Sequence, residues 1–193
     1  MESRPDITMD WVTYSSVADI YIKAGLNEKA LICLKKCEEK ISKDASGYNH
    51  LISHYASLGN KDEMMRLWGL QLTECEMHIN RDYITMMYSL VKIGELEETE
   101  KLLTEWESSC DRYDFRVPNA LLIGYSAYLD KDNMEKAFEC MKEALAVQAE
   151  NKFWRPKPSS ISSILDWVRD NRNADEIEAF MRSLKTGSRN YLD

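Results

Sequence analysis

The stretch YSSVADIYIKAGLNEKA, Tyr14 to Ala30, sets two tyrosines seven residues apart, then a glycine, then an alanine. Related skeletons return as YNHLISHYASLGNKDEM from Tyr48 and YITMMYSLVKIGELEET from Tyr83. Gly25 to Gly59 is 34 residues and Gly59 to Gly94 is 35, and a fixed period of that size means one supersecondary unit repeated along the chain. Both sides of the glycine carry helical periodicity. Tyr14, Val17, Ala18 and Tyr21 recur at i, i+3, i+4 and i+7, and Ala30, Leu31, Leu34 and Cys37 do the same. Each repeat is therefore expected to be a helical hairpin, with Gly in a left-handed cap at its turn.

The second hairpin is expected from about Ser46 to Leu72, with Leu51, Tyr55, Met64, Leu67 and Trp68 inward. The third runs from about Asp82 to Trp106, with Met86, Leu90, Leu102 and Leu103 as core. A fourth begins near Val117, where Pro118 is tolerated in a first turn and Leu121 and Tyr125 keep the register. Its turn carries Asp130 and Asn133 in place of Gly, and its longer spacing to Ala137 places an extra turn at the end of its first helix. The Pro-punctuated NKFWRPKPSS introduces a fifth, degenerate pair of helices, and the tail KTGSRNYLD has nothing to pack against.

One hairpin cannot bury its own apolar stripe, so neighbours must stack. The expected fold is all-α: a right-handed α-solenoid of about five stacked helix-turn-helix repeats, forming a single array over residues 1–193. The units fall near 11–44, 45–79, 80–114 and 115–157, followed by a degenerate capping repeat at 158–186 and a frayed tail at 187–193. Because the pattern is already running at Trp11, with Asp10 at the register of a repeat's last residue, the chain reads as a segment of a longer array.

Composition agrees with a folded helical protein: 44% hydrophobic, 30% charged, and only seven Gly and four Pro in 193 residues. The net charge of −8 argues against a uniformly basic nucleic-acid-binding domain, although the acid is concentrated. Residues 95–114 hold eight Asp or Glu, which leaves room for a cationic groove elsewhere. Five cysteines, none in a C-x-x-C pair, suggest neither a disulfide framework nor a zinc knuckle. No apolar run approaches a membrane span, so no membrane partner is expected. The N-terminal MESRPDITMD has no signal core and no transit-peptide character, which places any import address outside this chain.

VTYSSVADIYIKAGLNEKALICLKKCEE, from Val12, closely resembles the pentatricopeptide repeat, whose units run V-T-Y-N-x-L-I-x-x-Y-x-K-A-G-x-x-E-E-A over 35 residues. The tetratricopeptide alternative wants a small residue after the Leu of the first helix, and Ile52, Met87 and Leu122 break that rule where Ala18 keeps it. The resemblance is to the plain P type of the family, found mainly in plant mitochondria and chloroplasts. It implies a mitochondrial protein, with the chloroplast as the other address. It also implies binding of single-stranded RNA, one base per repeat, on the groove formed by the first helices.

Carried over position by position, the resemblance makes base readers of the residue after the first Tyr and the last residue of the repeat. These are Ser15 with Asp44, Asn49 with Ile79, Ile84 with Asp114, and Asn119 with a partner near Ser159. Only the first pair is chemically intact, and it leans towards G, because isoleucine neither donates nor accepts at a base edge. The base-sandwiching positions are Val12, Ser46, Arg81 and Arg116, of which arginine stacks well and Ser46 is too small to do so. Lys23 and Lys92 match the family's backbone-contacting lysine, whereas Ser57 and Ala127 stand there in the other repeats. Lys152, Arg155 and Lys157 form the densest basic patch, a further candidate for phosphate.

Other clusters read as structure. His50 and His54 lie one helical turn apart without an H-E-x-x-H context, and Cys33 and Cys37 at the same spacing read as small buried hydrophobes, so no metal or cofactor is expected. The glutamates of GELEETEKLLTEWESS read as a solvated face supported by pairs such as Glu97 to Lys101. Trp68, Trp106 and Trp167 fall on apolar stripes. No Gly-rich phosphate cradle and no nucleophile with its base is present, so no catalytic residue is named and no enzyme is expected. The function expected is a non-catalytic RNA-binding adaptor acting in processing, stability or translation. Its rival is a protein-binding helical scaffold, for instance a subunit of an organellar ribosome, which the net charge and broken reader pairs favour. The sequence sets no oligomeric state.

Overall fold

The computed structural model describes residues 9–110, 114, 116–127, 131–147 and 158–186. Among these, every regular element is an α-helix: α1 (Trp11–Lys23), α2 (Asn27–Glu38), α3 (Ala45–Ser57), α4 (Lys61–Glu74), α5 (Asn80–Lys92), α6 (Leu96–Ser109), α7 (Arg116–Ala127), α8 (Lys131–Val147), α9 (Pro158–Asn171) and α10 (Ala174–Thr186). The frayed tail expected at 187–193 lies outside the described residues.

The hairpin turns are built as the repeated glycine requires. Gly25, Gly59 and Gly94 have φ of +71°, +69° and +86°, the left-handed region that side chains with a Cβ resist. At each, the residue after glycine bonds back across the helix end: Leu26 N to Tyr21 O at 2.9 Å, Asn60 N to Tyr55 O at 2.9 Å, and Glu95 N to Leu90 O at 3.0 Å. The glycine N–H closes the inner bond to Ile22, Ala56 and Val91 respectively, completing a Schellman motif that satisfies helix carbonyls otherwise left open.

Helix starts are capped by the residue that closes the preceding repeat. Asp10 Oδ1 accepts from Thr13 N at 2.8 Å, and Asp44 Oδ1 accepts from Ser46 N at 2.9 Å. Asp114 Oδ1 likewise accepts from Arg116 N at 3.0 Å. Ile79 stands at this register before α5 and has no oxygen to offer. Its own N–H is taken instead by Asp82 Oδ2 at 2.9 Å, a carboxylate three residues into the helix.

Residues 1–95 and 96–193 form two compact units. In the first, α1 packs on α2 and α3 on α4, with α3 also against α1, α2 and α5. Its core holds Ala18, Ala30, Leu34, Cys37, Leu51, Ile52, Tyr55, Met64, Leu67, Trp68, Met86, Met87 and Leu90. Each fully buried large aliphatic side chain contributes about 1.5–3 kcal/mol. Tyr14, Val17, Tyr21 and Leu31, expected on the inner stripe, are half-buried. In the second unit, α7 packs against α6, α8 and α9, and α8 against α9 and α10. Leu102, Trp106, Leu121, Leu122, Tyr125, Met134, Phe138 and Met141 are buried, while Leu103 is half-buried. The degenerate last hairpin is anchored by Ile164, Val168 and Phe180. Phe138 meets the rings of Phe180 at 5.1 Å and Trp167 at 5.9 Å, and Trp167 itself is half-buried.

The extra turn expected at the end of the fourth unit's first helix would follow Ala127 and lies outside the described residues, whereas α8 is the longest helix described, with 17 residues. One expectation differs from the structure. Lys101 pairs with Glu98 at 2.9 Å rather than with Glu97, the i, i+3 partner lying nearer than the i, i+4 one.

Candidate nucleic-acid interface

A groove of about 200 Å³ opens between α3 and α5, lined by Ser46, Asn49, His50, Ser53, Arg81 and Thr85. It exists because all four α3 positions are small or polar, and because Thr85 turns its hydroxyl back to Arg81 O at 2.9 Å. Ser53 does likewise to Asn49 O at 2.9 Å, leaving its oxygen lone pairs able to accept. Two sandwich positions, Ser46 and Arg81, therefore face one opening. Arg81 is exposed, and among the described residues no partner holds its guanidinium.

The polar side chains expected to read bases are engaged by the next repeat. Ser15 is buried, with its hydroxyl 2.9 Å from His54 Nε2 on α3. Asn49 is 7% exposed; its Nδ2 donates to Asp82 Oδ1 at 2.6 Å and its Oδ1 accepts from Gln71 Nε2 at 3.3 Å. Asp82 is wholly buried. A hydrogen bond to a buried charged group contributes about 1.5–3 kcal/mol, so the Asn49 amide is fixed by the fold. Burial pushes the His54 imidazole below its usual range, against the opposing pull of Asp19.

The remaining candidates are scattered. Asp44 and Asp114 act as helix caps. Ile79 is 46% exposed and Ile84 half-buried. Asn119 is half-buried, with a buried Oδ1 that has no hydrogen-bond partner among the described residues. Val12 is exposed. Arg116 folds onto Asp114 at 2.7 Å, its guanidinium held charged by that carboxylate. Lys23 is paired with Asp19 at 2.5 Å, and this bond holds the Asp19 carboxyl below the usual range. Lys92 donates to Ser57 Oγ at 2.7 Å, reaching the same register of the preceding repeat. Lys152, Arg155 and Lys157 lie outside the described residues.

Sequence reasoning missed His54, Gln71 and Asp82 as partners of the readers. For Asp82 a signal was present: an acid three residues after a capless Ile79 is a helix-start signature. Cys37 is buried as expected, donating to Trp11 O at 3.2 Å, and burial raises its thiol to about 11. Among the described residues no group of three His, Cys, Asp or Glu is placed to hold a metal, and no helix is long and apolar enough to cross a membrane.

The family model of the PPR repeat matches residues 12–40 and 46–70. A mitochondrial pentatricopeptide repeat-containing protein of Arabidopsis thaliana is 42% identical over 218 residues, covering 96% of this chain and 44% of that protein. The chain belongs to the pentatricopeptide-repeat family. Another mitochondrial pentatricopeptide repeat-containing protein of Arabidopsis thaliana is 31% identical, covering 95% of this chain and 44% of its own length. The large ribosomal subunit protein mL101 (rPPR4) of the same plant is 27% identical, with coverage of 95% and 44%. This pentatricopeptide-repeat chain thus spans less than half the length of the relatives it matches. The crystal structure of the pentatricopeptide repeat protein PPR10 from maize superposes with a TM-score of 0.60 at 21% identity, over 92% of this chain and 24% of that one. That likeness gives the fold class, an all-α solenoid of helical hairpins.

Proposed function

We propose that this pentatricopeptide-repeat chain is a non-catalytic, single-stranded RNA-binding adaptor of organellar RNA metabolism, acting in the mitochondrion. The observation that carries the reading is the α3–α5 groove, in which Arg81, without a partner among the described residues, and the small Ser46 flank an opening at the expected sandwich positions of adjacent repeats. A guanidinium supplies both a stacking plane for a base and a charge for the backbone, which suits an unpaired strand. Lys92 and Lys23 stand at the expected backbone-contacting register, and each ammonium keeps donors beyond its one hydrogen bond among the described residues. The engaged Ser15 and Asn49 make this an interface weighted to stacking and phosphate rather than to readout at every repeat.

The test is retention of a randomised single-stranded RNA pool across a salt series. Affinity is expected to fall steeply with salt, and Arg81→Glu or Lys92→Glu is expected to weaken binding and flatten the slope by about 0.7 per lost phosphate contact. No retention even at low salt overturns the reading. In that case the second reading takes over, a protein-contacting scaffold within a larger assembly. It is supported by the likeness to a large ribosomal subunit protein and by readers spent on inter-repeat bonds.

A further inference from the structure

We propose that His50, rather than Asn49, is the specificity-determining side chain of the α3–α5 groove; this rests on the RNA reading above. The repeat register points to Asn49, but the amide of Asn49 is committed on both sides. Its nitrogen is bonded to the fully buried Asp82 carboxylate and its oxygen to Gln71. Turning that amide to a base would strip a buried carboxylate of one of its two donors among the described residues, the other being Ile79 N. Asn49 therefore forms the floor of the groove with its amide plane held in place, one N–H by Asp82 and one oxygen lone pair by Gln71.

His50 is the next residue on α3 and lines the same groove. It is exposed, and among the described residues neither ring nitrogen is hydrogen-bonded. Its ring is nevertheless positioned. Trp11 backs it at 5.5 Å between centroids, tilted by 55°, and His54 lies 6.4 Å away on the following turn of α3. A supported imidazole with no hydrogen-bond partner among the described residues is what a reader needs: rigid enough to select, yet with donor and acceptor capacity unspent. A neutral imidazole offers one donor and one acceptor, the same inventory an asparagine amide brings to a base edge. Arg81 across the groove supplies the stacking face, and Ser46 and Ser53 leave the width for a ring. His50 thus replaces the locked Asn49 as the hydrogen-bonding contact to one unpaired nucleobase.

The experiment retains a randomised single-stranded RNA pool on the whole chain and sequences what is kept, for the unmodified chain, His50→Ala and Asn49→Ala, with thermal melting of each. The proposal expects a base preference at one position of the retained RNA that falls about fivefold in His50→Ala, the scale of one hydrogen bond, with unchanged melting. Asn49→Ala, where it remains folded, keeps that preference; where it unfolds, His50→Ala still decides. A preference untouched by His50→Ala, one lost in a folded Asn49→Ala, or a retained pool with no preference overturns the proposal and leaves RNA binding standing. Failure of the unmodified chain to retain RNA overturns both.

Discussion

Replacing Asp82 by alanine tests whether the carboxylate at the start of α5 holds two repeats together. The side chain is wholly buried and accepts from Asn49 Nδ2 at 2.6 Å and from Ile79 N at 2.9 Å. Asp82→Ala leaves both donors without an acceptor, at about 1–3 kcal/mol each, while relieving part of the cost of a buried charge. The balance is a loss of about 2–4 kcal/mol. For a chain of this size 1 kcal/mol corresponds to roughly 2–4 °C in Tm, so a fall of about 5–12 °C is expected. Asp82→Asn keeps one acceptor and sets its amide against the Ile79 N–H, so about half the loss should remain. Urea unfolding followed by circular dichroism, with the exposed Glu97→Ala as a control expected within about 0.5 kcal/mol, measures all three. If Asp82→Ala unfolds no earlier than Glu97→Ala, the proposed lock between repeats does not exist.

Gly47→Ala should destabilise by about 1 kcal/mol in the same assay, although alanine ordinarily gains about that much over glycine in a helix. The new Cβ would lie 2.7 Å from Ile41 Cγ1, and the β-branched Ile41 must move to admit it. His54, held below its usual range by burial, binds its proton less readily folded than unfolded. The stability it contributes is therefore full above about pH 6.5 and is lost as pH falls through the lower folded value, so His54→Gln should flatten the decline in urea midpoint between about pH 7 and pH 5. Gly25→Ala, with open space around it but φ at +71°, should cost about 1–2 kcal/mol through backbone strain alone, readable as a lower Tm.

The repeat was legible because it rests on local chemistry. Gly25, Gly59 and Gly94 could only be turns, and the 3.6-residue stripes named most of the buried residues. The site was less legible because its state depends on contacts between residues far apart in sequence. Ser15 meets His54 across 39 residues and Asn49 meets Asp82 across 33, and no local pattern announces either. The doubling of Asp44 and Asp114 as helix caps was likewise hidden, since a carboxylate before a helix and a carboxylate facing a base look alike in sequence. The three basic residues of the linker, legible as a patch, fall outside the described residues.

Two departures from the repeat pattern in this chain have one physical origin. Where the other repeats end on Asp10, Asp44 and Asp114, this one ends on Ile79, which removes both a cap and half of an expected reader pair. Asp82 supplies the missing acceptor from inside the helix, and from that place it also captures Asn49. The substitution that cost the pair its second member thus immobilised the first. The double variant Ile79→Asp with Asp82→Thr, which copies the register of Asp10 and Thr13, should reverse both effects. Capping from the new aspartate is worth about 1 kcal/mol and should hold the melting temperature well above that of Asp82→Ala. With its captor gone, Asn49 regains a free amide, and RNA retained by the double variant should show a base preference altered from that of the unmodified chain. A double variant no more stable than Asp82→Ala would mean that the cap does not transfer. An unchanged base preference in a stable double variant would mean that Asn49 is held by Gln71 and the helix rather than by Asp82.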